Sequence, residues 1–198
     1  MVTEHKSRIV NRTLGCARLM LIVLAFPFTF PAVQAEEQPL PARQGERPQT
    51  TNRVPHVQIG VKPVPEVDAE LLRRVSALPK LDVRPTIVSL PGARGLWLLN
   101  SLRLARPEVI VRGREFAHIH PDGSLHASLP PRRAQEAVDA GWAVWHPWAK
   151  KRQGWEGFVM LYTPQSMDEL DVTFQLIVDG YNYVTGQKVV ASDYSGVQ

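Results

Sequence analysis

Cysteine is almost missing from this 198-residue chain. The one example, Cys16, precedes the apolar stretch 19–30 instead of following it, which excludes the lipidated cysteine of a lipoprotein. Beyond residue 35 there is no thiol. Disulfides and thiolate catalysis are therefore excluded there, and a metal would have to be held by His, Asp or Glu. A membrane-length hydrophobic run is missing too, because 19–30 falls short of the roughly 20 apolar residues a spanning helix needs and Pro27 interrupts it. Charge of one sign is not in surplus either. The chain holds 23 basic and 19 acidic residues, but Lys6, Arg8, Arg12 and Arg18 all lie ahead of residue 35, against one acid, Glu4. The remainder is close to neutral, with 19 basic residues against 18 acidic ones. A nucleic-acid partner needs basic residues clustered on a folded surface, and Arg132-Arg133 and Lys150-Lys151-Arg152 are only short clusters, expected to be solvated. Nucleophile elbows, phosphate loops and dinucleotide fingerprints are also missing.

The N-terminus has the layout of a secretory signal peptide: a basic start, a short apolar core, and Val33-Gln34-Ala35 as a small-residue cleavage site before Glu36. Export to the periplasm or the medium is expected, with no membrane attachment after cleavage. An uncleaved N-terminal membrane anchor is the alternative. Residues 36–64, rich in Pro, Gln, Arg and Thr, are expected to be a flexible linker, since they offer little apolar surface to offset ordering entropy. The folded domain is placed at 65–198.

Helical spacing of Val67, Leu71, Val75 and Leu78 predicts a first helix over 65–78, with acids at its start and Arg73 and Arg74 at its end. The stretch 81–100 stays open apart from a strand at 96–99. From Pro107 the pattern predicts strands at 108–112, 114–120 and 124–129, then a helix at 131–140 that Gly141 stops. Strands at 142–146 and 158–162 follow. Ser166 and Glu169 have capping-box spacing for a last helix whose stripe is Leu170, Phe174, Ile177, Val178 and Tyr181. The fold class is α+β: a mainly antiparallel sheet with helices packed on one face.

Four of the six histidines, His118, His120, His126 and His146, fall within one short stretch. Alternation along a strand puts Phe116, His118 and His120 on one face and Ala117 and Ile119 on the other. In the next strand Ser124, His126 and Ser128 oppose Leu125, Ala127 and Leu129. The link Pro121-Asp122-Gly123 suits a type I turn closed by a left-handed glycine, which pairs His118 with His126. Two chemistries fit this face. His-x-His with a third histidine opposite could ligate Zn or Fe, and neutral imidazoles could serve as general bases.

The motifs Arg114-Glu115-Phe116-Ala117-His118-Ile119-His120, Ser124-Leu125-His126, Gly141-Trp142, His146-Pro147 and Leu161-Tyr162-Thr163-Pro164 occur in series. In order and spacing this series resembles the luciferase domain of fungal luciferases over about 114–185, with a weaker echo at Leu78-Pro79 and Arg84-Pro85. Trp145, Trp148 and the loop 150–155 depart from the family pattern. The resemblance implies oxidation of a hydroxylated pyrone by O₂ as co-substrate, with no cofactor required. It implies catalytic roles for His118, His120, His126 and His146 and a substrate wall of Phe116, Trp142 and Tyr162. The readings carried forward are an oxygenase-like enzyme acting on an aromatic or enolic small molecule, a metal-dependent hydrolase or oxygenase, and a non-catalytic small-molecule binder.

Overall fold

The computed structural model describes residues 39–196 together with Met1; the expected signal peptide, with its expected cleavage after Ala35, otherwise lies outside the described residues. Helix α1 (Pro65–Ser76) starts on Pro65, carries Glu66 and Asp68 in its first turn and ends on Arg73 and Arg74, as dipole logic requires. It buries Val67, Leu71 and Val75. A hairpin of β1 (Leu81–Pro85) and β2 (Arg94–Leu98) follows, then β3 (Glu115–Ile119), β4 (Leu125–Ser128), α2 (Pro131–Asp139), β5 (Ala143–Trp145), β6 (Phe158–Leu161) and α3 (Met167–Thr185). The six strands form one antiparallel sheet in the order β1-β2-β3-β4-β6-β5.

Period-two alternation gives this sheet two different faces. Leu96, Ala117, Ile119, Leu125, Ala127, Val159 and Leu161 join the core stripes of the helices in a single apolar cluster. All five predicted stripe residues of α3 are fully buried, and burying each such side chain contributes roughly 1.5–3 kcal/mol. Ser166 caps α3 by accepting from the Glu169 N–H at 3.2 Å. The return bond of the box is displaced by one residue, because Glu169 accepts from the N–H of Gln165 and not from that of Ser166.

Two expectations need correction, and one open stretch is resolved. Residues 108–112 are not a strand: Pro107–Val109 is a 3-10 turn closed by Ile110 N–H to Pro107 O at 3.2 Å. Both edges of β3 are already taken by β2 and β4, and Pro107 presets turn geometry. The open stretch 81–100 supplies two strands. The described part of the expected linker, 39–64, belongs to the same compact unit as the domain. Its backbone polar groups find fixed partners: Leu40 N–H donates to Glu136 at 2.7 Å, Arg43 N–H to Ala140 O at 2.8 Å, and Trp142 Nε1 to Pro41 O at 2.6 Å. Long-range hydrogen bonds, which composition does not encode, offset the ordering cost.

Candidate functional site

The face of the sheet opposite the helices holds the histidines. Their hairpin has the predicted turn. Gly123 has φ +82°, its N–H donates to His120 O at 3.0 Å, and His120 N–H donates to Ser124 O at 2.8 Å. The resulting register sets His118 opposite His126. On the strands and loops that follow, His146 lies just past β5, its N–H held by Phe158 O at 3.1 Å.

A fifth histidine joins them. His56, on the strap 50–58 that sequence composition assigned to a linker, is buried against His126. The strap is closed by the Thr50–Gln58 bridge and pinned from both sides. Gln58 N–H donates to Asp122 Oδ2 at 3.1 Å, and Thr163 N–H donates to Gln58 Oε1 at 3.2 Å. The only sequence signal for His56 was its being a histidine in a Pro-rich stretch.

These five rings line one cavity of about 200 Å³, lined elsewhere mainly by apolar residues that include Val54, Val88, Leu90, Val111, Trp148 and Phe158. His118, His120, His126 and His146 are thus brought together as expected. The predicted aromatic wall is not. Phe116 packs in the main core, edge-to-face with Tyr181 at 5.9 Å. The register runs Leu96–Ala117 and then Trp97–Glu115, so Phe116 is the extra residue of a bulge, and a bulge breaks strict alternation. Glu115 takes the histidine face in its place. Trp142 is in the core, and Tyr162 lies beside Arg43, whose guanidinium is 5.8 Å from its ring. Neither lines the cavity. Trp148 and Phe158 supply the aromatic surface there instead, with centroids 5.3 and 4.2 Å from the His146 ring.

Hydrogen bonds assign the imidazole protons. Ser124 Oγ donates to Asp122 Oδ1 at 2.7 Å, so it accepts from His120 Nδ1 at 2.9 Å and leaves a lone pair on His120 Nε2. His146 Nδ1 accepts from Trp148 N–H at 3.0 Å, so the neutral ring carries its proton on Nε2. Glu115, with a fully buried side chain, accepts from Thr86 Oγ1 at 2.6 Å and Ile87 N–H at 2.8 Å, and lies 3.2 Å from His118 Nδ1. His118 Nε2 is 3.0 Å from His126 Nδ1, and His126 Nε2 is 3.2 Å from His56 Nδ1.

Burial favours the neutral imidazole, and neighbouring rings reinforce it. Desolvation, then proximity to His118, lowers His120 to about 4; desolvation, then proximity to His56, lowers His146 to about 3. His126 is held well below its ordinary value by burial first, and His56 is lowered by burial. For Glu115 burial acts upward, but hydrogen bonds from His118, Thr86 and Ile87 outweigh it and keep the carboxyl below its usual range. His56, His120, His126 and His146 are therefore held neutral, and they offer the cavity lone pairs and the Nε2–H of His146 beside a buried carboxylate. Such a set can accept a proton from a bound hydroxyl and donate a hydrogen bond to the oxygen left behind. Two triplets, His56/His126/His146 and His118/His120/His126, also bring ring nitrogens within 4.8 Å of one another.

No helix among the described residues is long and apolar enough to cross a membrane. No solved structure matches the chain. Residues 113–178 match the family model described as "Luciferase domain". A luciferase of Armillaria gallica is 30% identical over 166 residues, which cover 74% of this chain. The chain spans 61% of that protein. The match to the family model spans β3 through most of α3, holds four of the five cavity histidines and omits His56. The chain is a luciferase domain-containing protein.

Proposed function

We propose that the cavity is the active site of an oxygenase-like enzyme acting on an aromatic or enolic small molecule. The observation that carries this reading is the pairing of buried, neutral imidazoles with apolar walls in one cavity. At about 200 Å³ the cavity is smaller than the roughly 300–1,000 Å³ of sites for drug-sized ligands, and it suits a one- or two-ring substrate. An imidazole lone pair takes the proton of the substrate's enol or phenol hydroxyl. The anion so formed is electron-rich enough to give electrons to O₂, the co-substrate, and apolar walls keep water from competing. The Nε2–H of His146 is suited to stabilise the substrate oxygen.

No metal is required in this scheme. His118 Nε2 and His126 Nδ1 are bonded to each other at 3.0 Å, so neither of these two nitrogens is free for a metal while that bond stands. His146 Nε2 carries a proton while Nδ1 accepts from Trp148, which opposes ligation by that ring. A zinc- or iron-dependent enzyme is the second reading, favoured by the 4.8 Å grouping of His118, His120 and His126. Oxygen uptake with a panel of pyrones and catechols, run beside metal analysis of the purified chain, tests both. We also infer export through the N-terminal signal, on the basic start and small-residue site of residues 1–35.

A further inference from the structure

Five histidines share the cavity, and a base mechanism needs only one of them to hold an accessible lone pair. Which one is fixed by the carboxylate at the far end of the cluster. We propose that Glu115, His118, His126 and His56 form one hydrogen-bonded chain, in which Glu115 is the positioning residue and His56 Nε2 is the atom that takes the substrate proton. This rests on the reading of the cavity as an acid–base site.

The chain is read outward from the carboxylate with one proton on each ring. An ionised carboxylate only accepts, so His118 Nδ1, 3.2 Å from Glu115 Oε1, carries the proton. His118 Nε2 is then a lone pair and accepts from His126 Nδ1–H at 3.0 Å. His126 Nε2 in turn accepts from His56 Nδ1–H at 3.2 Å. The nitrogen left over is Nε2 of His56, a ring that lines the cavity. When the substrate O–H breaks and the new N–H forms, the positive charge rests on His56. Its Nδ1–H bond then strengthens along a chain that ends on a negative charge. Glu115 stays ionised, and the proton on His56 is available to return to the oxygen of the product.

Three independent features of the fold serve this arrangement. The bulge at Phe116 brings Glu115 to the histidine face. Gly95 leaves room for it, because a Cβ there would stand 3.0 Å from the Glu115 carboxyl carbon and 2.6 Å from Trp97 Nε1. The strap bonds of Gln58 hold His56 at the other end. His120 is served separately by Asp122 and Ser124, so it is not part of this chain.

Ring-nitrogen NMR of the ¹⁵N-labelled full chain without substrate reads the tautomers directly. The expected result is a protonated Nδ1 and a bare Nε2 on His118, His126 and His56 alike. In Glu115→Gln the His118 ring is expected to lose this single tautomer. Its kcat, on whichever pyrone or catechol the natural chain turns over, should drop by about 10²–10⁴-fold with KM little changed. A proton on Nε2 of His56 or His126 in the natural chain overturns the proposal, and so does a Glu115→Gln variant with unaltered tautomers. If that variant does not fold, the spectrum of the natural chain decides alone. The expected tautomers in a chain that turns over nothing uphold the order of protons and reject the enzymatic reading. Turnover with the wrong tautomers rejects the chain only.

Discussion

His118 Nε2 and His126 Nδ1 meet at 3.0 Å across the β3–β4 hairpin, and this contact exists only in the register that its turn selects. A one-residue slip would carry His126 to the helix-packed face. Gly123 holds the turn with φ +82°, and a Cβ there would stand 2.6 Å from Thr163 Cγ2. Gly123→Ala should therefore cost about 1–3 kcal/mol, the usual range for a strained backbone position, and should reduce turnover as well. Urea unfolding and a kinetic assay check this; a variant with natural stability would contradict the role given to the turn.

The two faces of the sheet should respond differently to truncation. Leu125→Ala removes a fully buried side chain from the main core and is expected to lose about 2–5 kcal/mol. His146→Ala sits at the cavity and gives up one hydrogen bond, to Trp148, for an expected loss of about 0.5–1.5 kcal/mol. Turnover should nonetheless be lost in His146→Ala and survive in Leu125→Ala at temperatures where the latter stays folded. Thermal melts beside rate measurements separate the two, and equal destabilisation would make His146 a structural residue.

Acid should destabilise the protein well before its carboxylates protonate. His120 and His146 have folded values of about 4 and about 3, below the ordinary 6.5, so the unfolded chain binds more protons throughout that interval. Their contribution to stability is fully present above pH 6.5 and declines as pH falls towards 4 and then 3. The slope for each is at most about 1.4 kcal/mol per pH unit. His126 and His56 act in the same direction. Urea midpoints at pH 7, 5.5 and 4.5 should fall steadily, and less steeply in His146→Gln. A flat profile over this range would contradict the burial of neutral imidazoles.

Much of this was legible in residues that obey local rules. The α3 stripe, the Ser166 cap, the Pro121-Asp122-Gly123 turn and the alternation of β3 and β4 each follow from spacing or dihedral preference, and together they place four histidines on one face. Phe116 broke the rule because the bulge depends on how β2 pairs with β3, a relation between strands about 20 residues apart. Trp142 and Tyr162 were drawn away by Pro41 and Arg43, on the segment that composition assigned to a linker. His56 escaped notice for the same reason: its position is set by Asp122 and Thr163, more than 60 residues further along.

The strap should accordingly be part of the folded domain. Asp122→Ala removes the acceptor for Gln58 N–H and for two donors of Ser124, and an expected 1–3 kcal/mol (about the cost of leaving buried donors unpaired) is lost. His56 would be released with it. Limited proteolysis should cut within 50–58 in Asp122→Ala and spare that segment in the natural chain. Equal cleavage of both would show that the strap does not depend on the hairpin turn.

In the proposed reaction buried imidazoles, without a metal, activate an enolic or phenolic substrate toward O₂. Oxygen uptake by the full chain, stripped with chelator and verified free of zinc and iron, measures this directly across pyrones and catechols. Uptake that persists after stripping and is lost in His56→Ala is the predicted result. Uptake that vanishes on stripping and returns with zinc or iron, or no uptake with any compound, would contradict it.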